Sequence, residues 1–187
     1  MGIFGKIFGE AKNDYKGDLK DGKPHGAGTM KFANGNVYIG QWKNGTMDGQ
    51  GVISFADGEK YDGEMKDNKK HGNGIYIHVD GKKYSGQFKN DMKNGNGTLT
   101  SANGDEYTGS FKDEHFDGMG TFVYVDGAHY KGEYKSNLFS GKGVLKFPDG
   151  SSYNGEWEAG TYHGNGTYLF PDGKIQKGQF IKGKFIS

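Results

Sequence analysis

Tyr38-Ile-Gly40-Gln-Trp42-Lys-Asn-Gly45-Thr-Met-Asp-Gly49-Gln-Gly51-Val-Ile53-Ser-Phe55-Ala-Asp57-Gly58-Glu-Lys60 contains the whole plan of this chain. Its first five residues alternate large, small and large side chains on one face, with Ile39 and Gln41 on the other. That period of two is the signature of a strand. Lys43-Asn44-Gly45 follows as a turn, with Gly able to take positive φ. Gly49 to Phe55 is a second period-two run, with Gly49, Gly51, Ile53 and Phe55 on one face and Gln50, Val52 and Ser54 on the other. Ala56-Asp57-Gly58 is a second turn, of the Asp-Gly kind favoured in hairpins. The stretch therefore reads as one β-hairpin with a turn leading straight into the next.

The same stretch is copied along the chain. Steps of 23 residues from Tyr15 land on Tyr38, Tyr61, Tyr84, Tyr107, Tyr130 and Tyr153, and the next step lands on Gln176. Two residues after each of these stands a glycine, from Gly17 to Gly178. A fixed period of this kind means one supersecondary unit repeated end to end. Seven full units start at 15, 38, 61, 84, 107, 130 and 153, and a partial eighth starts at 176. The expected fold is all-β: an elongated, curved, single-layer antiparallel sheet of successive hairpins over residues 15–187. Residues 1–14 form a capping segment, helical or irregular. Ile3, Phe4, Ile7, Phe8 and Ala11 fall on one helical face, although Gly5 and Gly9 weaken that helix. Gly2 suggests a myristoylation site, but Lys6 stands where that motif wants Ser or Thr.

Composition agrees with a thin repeat rather than a round globule. Only 32% of the 187 residues are hydrophobic and 36 are glycine, yet 14% are aromatic, which argues against disorder. Glycine inside a strand weakens a sheet, so two in each second strand need a reason. An aromatic ring from the neighbouring strand can lie over a glycine and cover its backbone. The Tyr position and the position four residues later (Trp42, Phe88, Phe111, Tyr134, Trp157, Phe180, with Leu19 and Met65 as substitutes) supply those rings. Small residues alternating with rings let a sheet curve, which makes the aromatic face the concave one.

Net charge is +1, and every basic residue is lysine. Without a basic field or arginine forks, nucleic acid is an unsuited partner. Absence of cysteine removes disulfides and thiolate metal sites. No apolar run is long enough to span a membrane as a helix, and the apolar part of the N-terminus is too short for a secretory signal. A cytoplasmic protein is expected. His25, His71 and His163 recur at one offset, but whole repeats apart, too far to share a metal. Asp57, Asp80, Asp126, Asp149 and Asp172, with Asn34 and Asn103, suit turns. No acid, base or nucleophile cluster converges, and neither enzyme activity, cofactor nor metal is expected.

The pattern Tyr-x-Gly-x-(Trp/Phe)-x-x-Gly, then Gly-x-Gly, as in Tyr153-Asn-Gly155-Glu-Trp157-Glu-Ala-Gly160-Thr-Tyr-His163-Gly164-Asn-Gly166, resembles the MORN (membrane occupation and recognition nexus) repeat family. The resemblance covers residues 15 to about 183, nearly the whole chain. It implies a sheet of hairpins that serves as a scaffold between membranes, cytoskeleton and other proteins, in cilia among other places. Two candidate surfaces follow. One is the aromatic face, with Phe88, Phe111, Phe116, Tyr134, Phe139, Trp157 and Tyr162, for docking an extended or helical protein segment. Within it, the offset two residues before the Gly-x-Gly pair reads Pro24, Met47, Lys70, Lys93, Phe116, Phe139, Tyr162, an aromatic stripe confined to the C-terminal half. The alternative is a lysine-lined edge, Lys20, Lys43, Lys66, Lys89, Lys112 and Lys135, which with the apolar N-terminal segment could meet an anionic membrane. A homodimer through the ends or back of the ribbon is a further open expectation.

Overall fold

The computed structural model describes residues 12–187, and the capping segment expected over residues 1–14 lies almost wholly outside them. Sixteen strands form a single antiparallel sheet in which each strand pairs only with its neighbours in the chain. Odd-numbered strands are seven residues long, such as Val37–Lys43, and even-numbered ones nine, such as Thr46–Ser54, until a final two-residue strand, Lys184–Phe185. At a strand spacing of about 4.8 Å, the sheet extends on the order of 70 Å. With one layer, the core is the aromatic face itself.

Two-residue turns close each hairpin. Both turn residues have positive φ, as at Asn44 (51°) and Gly45 (91°), which matches the twist of the flanking strands. Where the second turn residue is not glycine, its side chain compensates for the strain. Asn68 Oδ1 accepts the amide of Met47, Asp91 Oδ1 that of Lys70, and Asn137 Oδ1 that of Phe116. The amides of these three turn residues donate to the carbonyls of the same partners. Each turn is thereby fastened to the preceding repeat. Turns on the opposite edge are held by the Asp and Asn row: Asn34, Asp57, Asp80, Asn103, Asp126, Asp149 and Asp172 each accept the amide two residues on.

Six repeat tyrosines, Tyr38 to Tyr153, are fully buried. Each hydroxyl donates to the carbonyl three residues later, at 2.7 to 3.0 Å. Burial pushes the hydroxyls of Tyr38, Tyr84 and Tyr107 up to about 12. Each ring lies over the second glycine of the Gly-x-Gly pair: a Cβ on Gly97 would stand 2.5 to 2.7 Å from Tyr84. Covering of glycine by a ring thus explains that glycine but not the first of the pair.

Gly49, Gly72, Gly95, Gly118, Gly141 and Gly164 have positive φ and sit where the hairpin register shifts, as between Gly40 and Trp42. They are bulge glycines, and a neighbouring side chain caps each bulge in four repeats. The side-chain oxygens of Gln41, Glu64, Gln87 and Glu133 accept the amides of Gln50, Asn73, Asn96 and Lys142 at 2.8 to 3.1 Å. The bulge removes a ladder bond, and the capping oxygen replaces it.

Candidate docking face

Between successive tyrosines stand the rings four residues after each. From Tyr61 to Phe180 they alternate in one line: Tyr61, Phe88, Tyr84, Phe111, Tyr107, Tyr134, Tyr130, Trp157, Tyr153, Phe180. Successive centroids are 5.0 to 5.3 Å apart and nearly perpendicular. Edge-to-face contacts of this kind add about 0.5–1.5 kcal/mol each to burial. The line depends on side chains from adjacent repeats, so it joins the repeats as well as filling them. Met65 takes the ring position in the third repeat and is buried, whereas Leu19 in the first is 61% exposed.

Of the seven aromatic residues expected to meet a partner, Phe88, Phe111, Tyr134 and Trp157 are buried in this line. They form the floor. The stripe residues Phe116, Phe139 and Tyr162 are half-buried and lie on top. Phe116 stacks on Tyr107 (3.7 Å, 11°), Phe139 on Tyr130 (3.7 Å, 8°) and Tyr162 on Tyr153 (3.9 Å, 17°). One face of each ring belongs to the core. Further aromatics flank them on the same face. Phe122 lies beside Phe116 with Tyr124 against it, and Tyr168 lies beside Tyr162 with Phe170 against it. The spacing of these four from the repeat tyrosine is odd because it crosses the two-residue turn: Phe122 pairs with Tyr107 and Tyr168 with Tyr153 across the hairpin, and period-two counting from Gly120 or Gly166 reaches all four.

A cavity of about 260 Å³ opens in this region, lined by Phe116, Phe122, Tyr124, Tyr134, Leu138 and Phe139 among others. Tyr134 is 4% exposed, and its hydroxyl has no hydrogen-bond partner. Burial, with Tyr107 and Tyr130 beside it, raises that hydroxyl far above its ordinary value. By contrast, the indole N–H groups of Trp42 and Trp157, at the same repeat position, donate to the carbonyls of Gly28 and Gly143.

Toward the N-terminus the same face becomes polar. Lys70 Nζ lies 4.3 Å from the Tyr76 ring centroid, and Lys93 Nζ lies 5.7 Å from that of Tyr84 while pairing with Glu114. The aliphatic stems of these lysines occupy the offset that Phe116, Phe139 and Tyr162 occupy further on. Burial lowers Lys70 from its ordinary value. Glu59 accepts from the Tyr76 hydroxyl and meets His78 Nδ1 at 2.9 Å, and the Tyr76 bond chiefly holds its carboxyl below the usual range.

Lys20, Lys43, Lys66, Lys89, Lys112 and Lys135 are all exposed, each ending a strand beside a two-residue turn. They therefore occupy one edge of the sheet, and the Asp and Asn turns occupy the other. Among the described residues no group of three His, Cys, Asp or Glu is placed to hold a metal, and no helix is long and apolar enough to cross a membrane.

Comparison with solved structures finds the same architecture elsewhere. The TCP domain of SAS-4 (dCPAP) from Drosophila melanogaster, solved with a proline-rich motif of Ana2 (dSTIL), shares 12% identity and a TM-score of 0.50 over 81% of this chain and 83% of that one. The G-box domain of the microcephaly protein CPAP gives 13% identity and a TM-score of 0.38, over 83% and 87%. The TCP10 domain of Danio rerio CPAP gives 13% and 0.29, over 85% of each chain. These likenesses show a shared sheet architecture in the first case and carry no more. No curated protein sequence matches the chain. The MORN repeat model matches seven consecutive segments, 15–37, 38–60, 61–83, 84–106, 107–129, 130–152 and 153–175, and the chain belongs to the MORN repeat family.

Proposed function

We propose that the protein is a non-catalytic scaffold that docks a segment of another protein on its aromatic face, within a cytoskeletal, ciliary or membrane-associated assembly. The observation that carries this reading is the stripe of Phe116, Phe139 and Tyr162. Each ring is held rigidly by stacking on a buried tyrosine, so little side-chain entropy is lost when a partner covers the other face. Aromatic anchors on a rigid platform are what hot spots consist of. Phe88, Phe111, Tyr134 and Trp157 serve this face as its floor. The TCP domain of SAS-4, with a similar sheet, was solved holding a proline-rich motif, which supports a short linear segment as the occupant.

A pull-down comparing wild type with Phe116→Lys/Phe139→Lys tests the reading. Lysine stands at this offset in two other repeats, Lys70 and Lys93, so the substitution respects the fold while removing the rings. Proteins retained by wild type and lost by the variant are expected. A vesicle-flotation arm covers the alternative occupant. Equal capture by both proteins, together with salt-sensitive flotation on anionic vesicles abolished by Lys→Gln changes along the lysine edge, would transfer the function to that edge.

A further inference from the structure

The geometry points to a polyproline II segment, with an apolar residue or proline at every third position, as the occupant of the aromatic face, running across the strands with one ligand turn per repeat. This rests on the docking reading above and narrows it. The first argument is pitch. One hairpin advances two strands, about 9.6 Å. One turn of polyproline II is three residues at about 3.1 Å, or about 9.3 Å. The ring distances are compatible with that step: Phe139 to Trp157 is 5.0 Å and Trp157 to Tyr162 is 4.8 Å, so the stripe rings Phe139 and Tyr162 stand at most about 10 Å apart. Successive anchors of such a ligand therefore meet successive stripe rings with a mismatch of only a few tenths of an ångström per repeat.

Other backbones fit worse. An extended strand turns alternate residues away, and its same-face repeat of about 6.7 Å falls out of step with the rings at once. An α-helix returns to the same face after seven residues, at about 10.5 Å, and drifts by about 1 Å per repeat.

The second argument is independent of pitch. Tyr134 lines the cavity between those two stripe rings and has a buried hydroxyl without a partner. A hydroxyl there calls for an acceptor. The carbonyls of a helix are already bonded along the helix, but polyproline II has no internal hydrogen bonds and its carbonyls are free. A proline seated between Phe116 and Phe139, with a ligand carbonyl turned to Tyr134 after a small shift of the ring, satisfies both the slot and the hydroxyl. The stripe's C-terminal half is then the anchor, with up to three ligand turns from Phe116 to Tyr162. Toward the N-terminus, the lysines at the stripe offset end the aromatic track.

The test uses the full chain and a phage-displayed library of random twelve-residue peptides. Enriched peptides are then titrated by fluorescence anisotropy against wild type, Phe139→Lys and Tyr134→Phe. Expected are sequences with proline or an apolar residue at every third position. Moving one such anchor by a single position should weaken binding by about tenfold, and Tyr134→Phe by about five- to tenfold, the worth of one buried hydrogen bond. Phe139→Lys should abolish binding. Peptides that depend on Phe139 but repeat every second residue, or at helical spacing, would overturn the polyproline II assignment and leave the docking face standing. Binders indifferent to Phe139→Lys, or no enrichment at all, would overturn the docking face as well.

Discussion

Replacing Tyr134 by phenylalanine should make the protein more stable and its binding weaker. The position is apolar or indole in every other repeat: Leu19, Trp42, Met65, Phe88, Phe111, Trp157 and Phe180 fill it elsewhere. A phenyl ring therefore fits. The Tyr134 hydroxyl is buried and unpartnered, a state that costs about 1–3 kcal/mol. Removing the oxygen leaves a void of roughly 15 Å³, worth about 0.4 kcal/mol at the usual cavity coefficient. The net expectation is a gain of about 1 kcal/mol, or about 2–4 °C in melting temperature for a chain of this size. Guanidinium titration followed by fluorescence of the two tryptophans reads it, and Trp157 reports locally because it packs against Tyr130, the neighbour of Tyr134. Tyr107→Phe is the control. The chemical change is the same, but that hydroxyl donates to the Ser110 carbonyl at 2.9 Å, so its loss should cost about 1 kcal/mol. If Tyr134→Phe destabilises by as much as Tyr107→Phe, the hydroxyl is bonded in solution and the free donor of the cavity does not exist.

Three further perturbations test the fold. Gly97→Ala puts a Cβ 2.5 to 2.7 Å from the ring of Tyr84, which is fully buried and cannot retreat. A loss of about 3 kcal/mol is expected in chemical denaturation, and a loss below about 1 kcal/mol would mean that the ring is not pinned. Gln87→Ala strips the bulge amide of Asn96 of its acceptor and should cost about 1 kcal/mol, whereas Ser110→Ala, at the equivalent position with no such amide bond, should cost less. Glu59 has a depressed carboxyl, held by Tyr76 first and His78 after. Its contribution is complete above the ordinary glutamate value of 4.5 and is lost as pH falls through the lower folded value. Between roughly pH 5 and 3 the melting temperature of wild type should therefore fall more steeply than that of Glu59→Gln. Parallel curves would show that the Glu59–Tyr76–His78 cluster contributes nothing to folding.

Much of the fold was legible because repetition amplifies weak signals. One Asn-Gly or one alternating pentapeptide says little, but seven in register at Tyr15 to Tyr153 leave only a hairpin array. Covering of Gly51, Gly74 and their equivalents by tyrosine followed from the same alternation. The bulge at Gly49 and its equivalents did not, because a glycine at positive φ and a glycine under a ring look alike in sequence. The capping role of Gln41, Glu64, Gln87 and Glu133 was hidden for a related reason: on a solvent face, a polar residue that binds a backbone amide is indistinguishable from one that binds water. Burial divided the candidate site along a line that pattern alone does not draw. Phe88 and Phe116 are both aromatics on one face, but the first lies between two tyrosines and the second on top of one. The flanking Phe122, Tyr124, Tyr168 and Phe170 were overlooked, although their period-two spacing marks the same face.

That division also says how such an array can change its partner without changing its fold. Tyrosine, its covered glycine and the ring four residues on are mutually dependent, since each fills space that another leaves. Inside the array that interlock is kept even where Met65 replaces a ring, and it lapses only in the terminal units, where Leu19 is exposed and Gln176 stands at the tyrosine position. The stripe offset carries no such obligation. It needs only to cover one face of the tyrosine, and Met47, the stems of Lys70 and Lys93, and the rings of Phe116, Phe139 and Tyr162 are placed at it. The backbone bonds that fasten this residue to the next turn run through its amide and carbonyl, as at Met47, Lys70 and Phe116, so they are indifferent to its side chain. A position that is structurally anchored through the backbone but chemically free in its side chain is where recognition can be written. The run from Lys70 and Lys93 into Phe116, Phe139 and Tyr162 gives this ribbon a polarity that the repeat itself lacks. Under the docking reading proposed above, that polarity would set the direction and the register in which a linear partner lies.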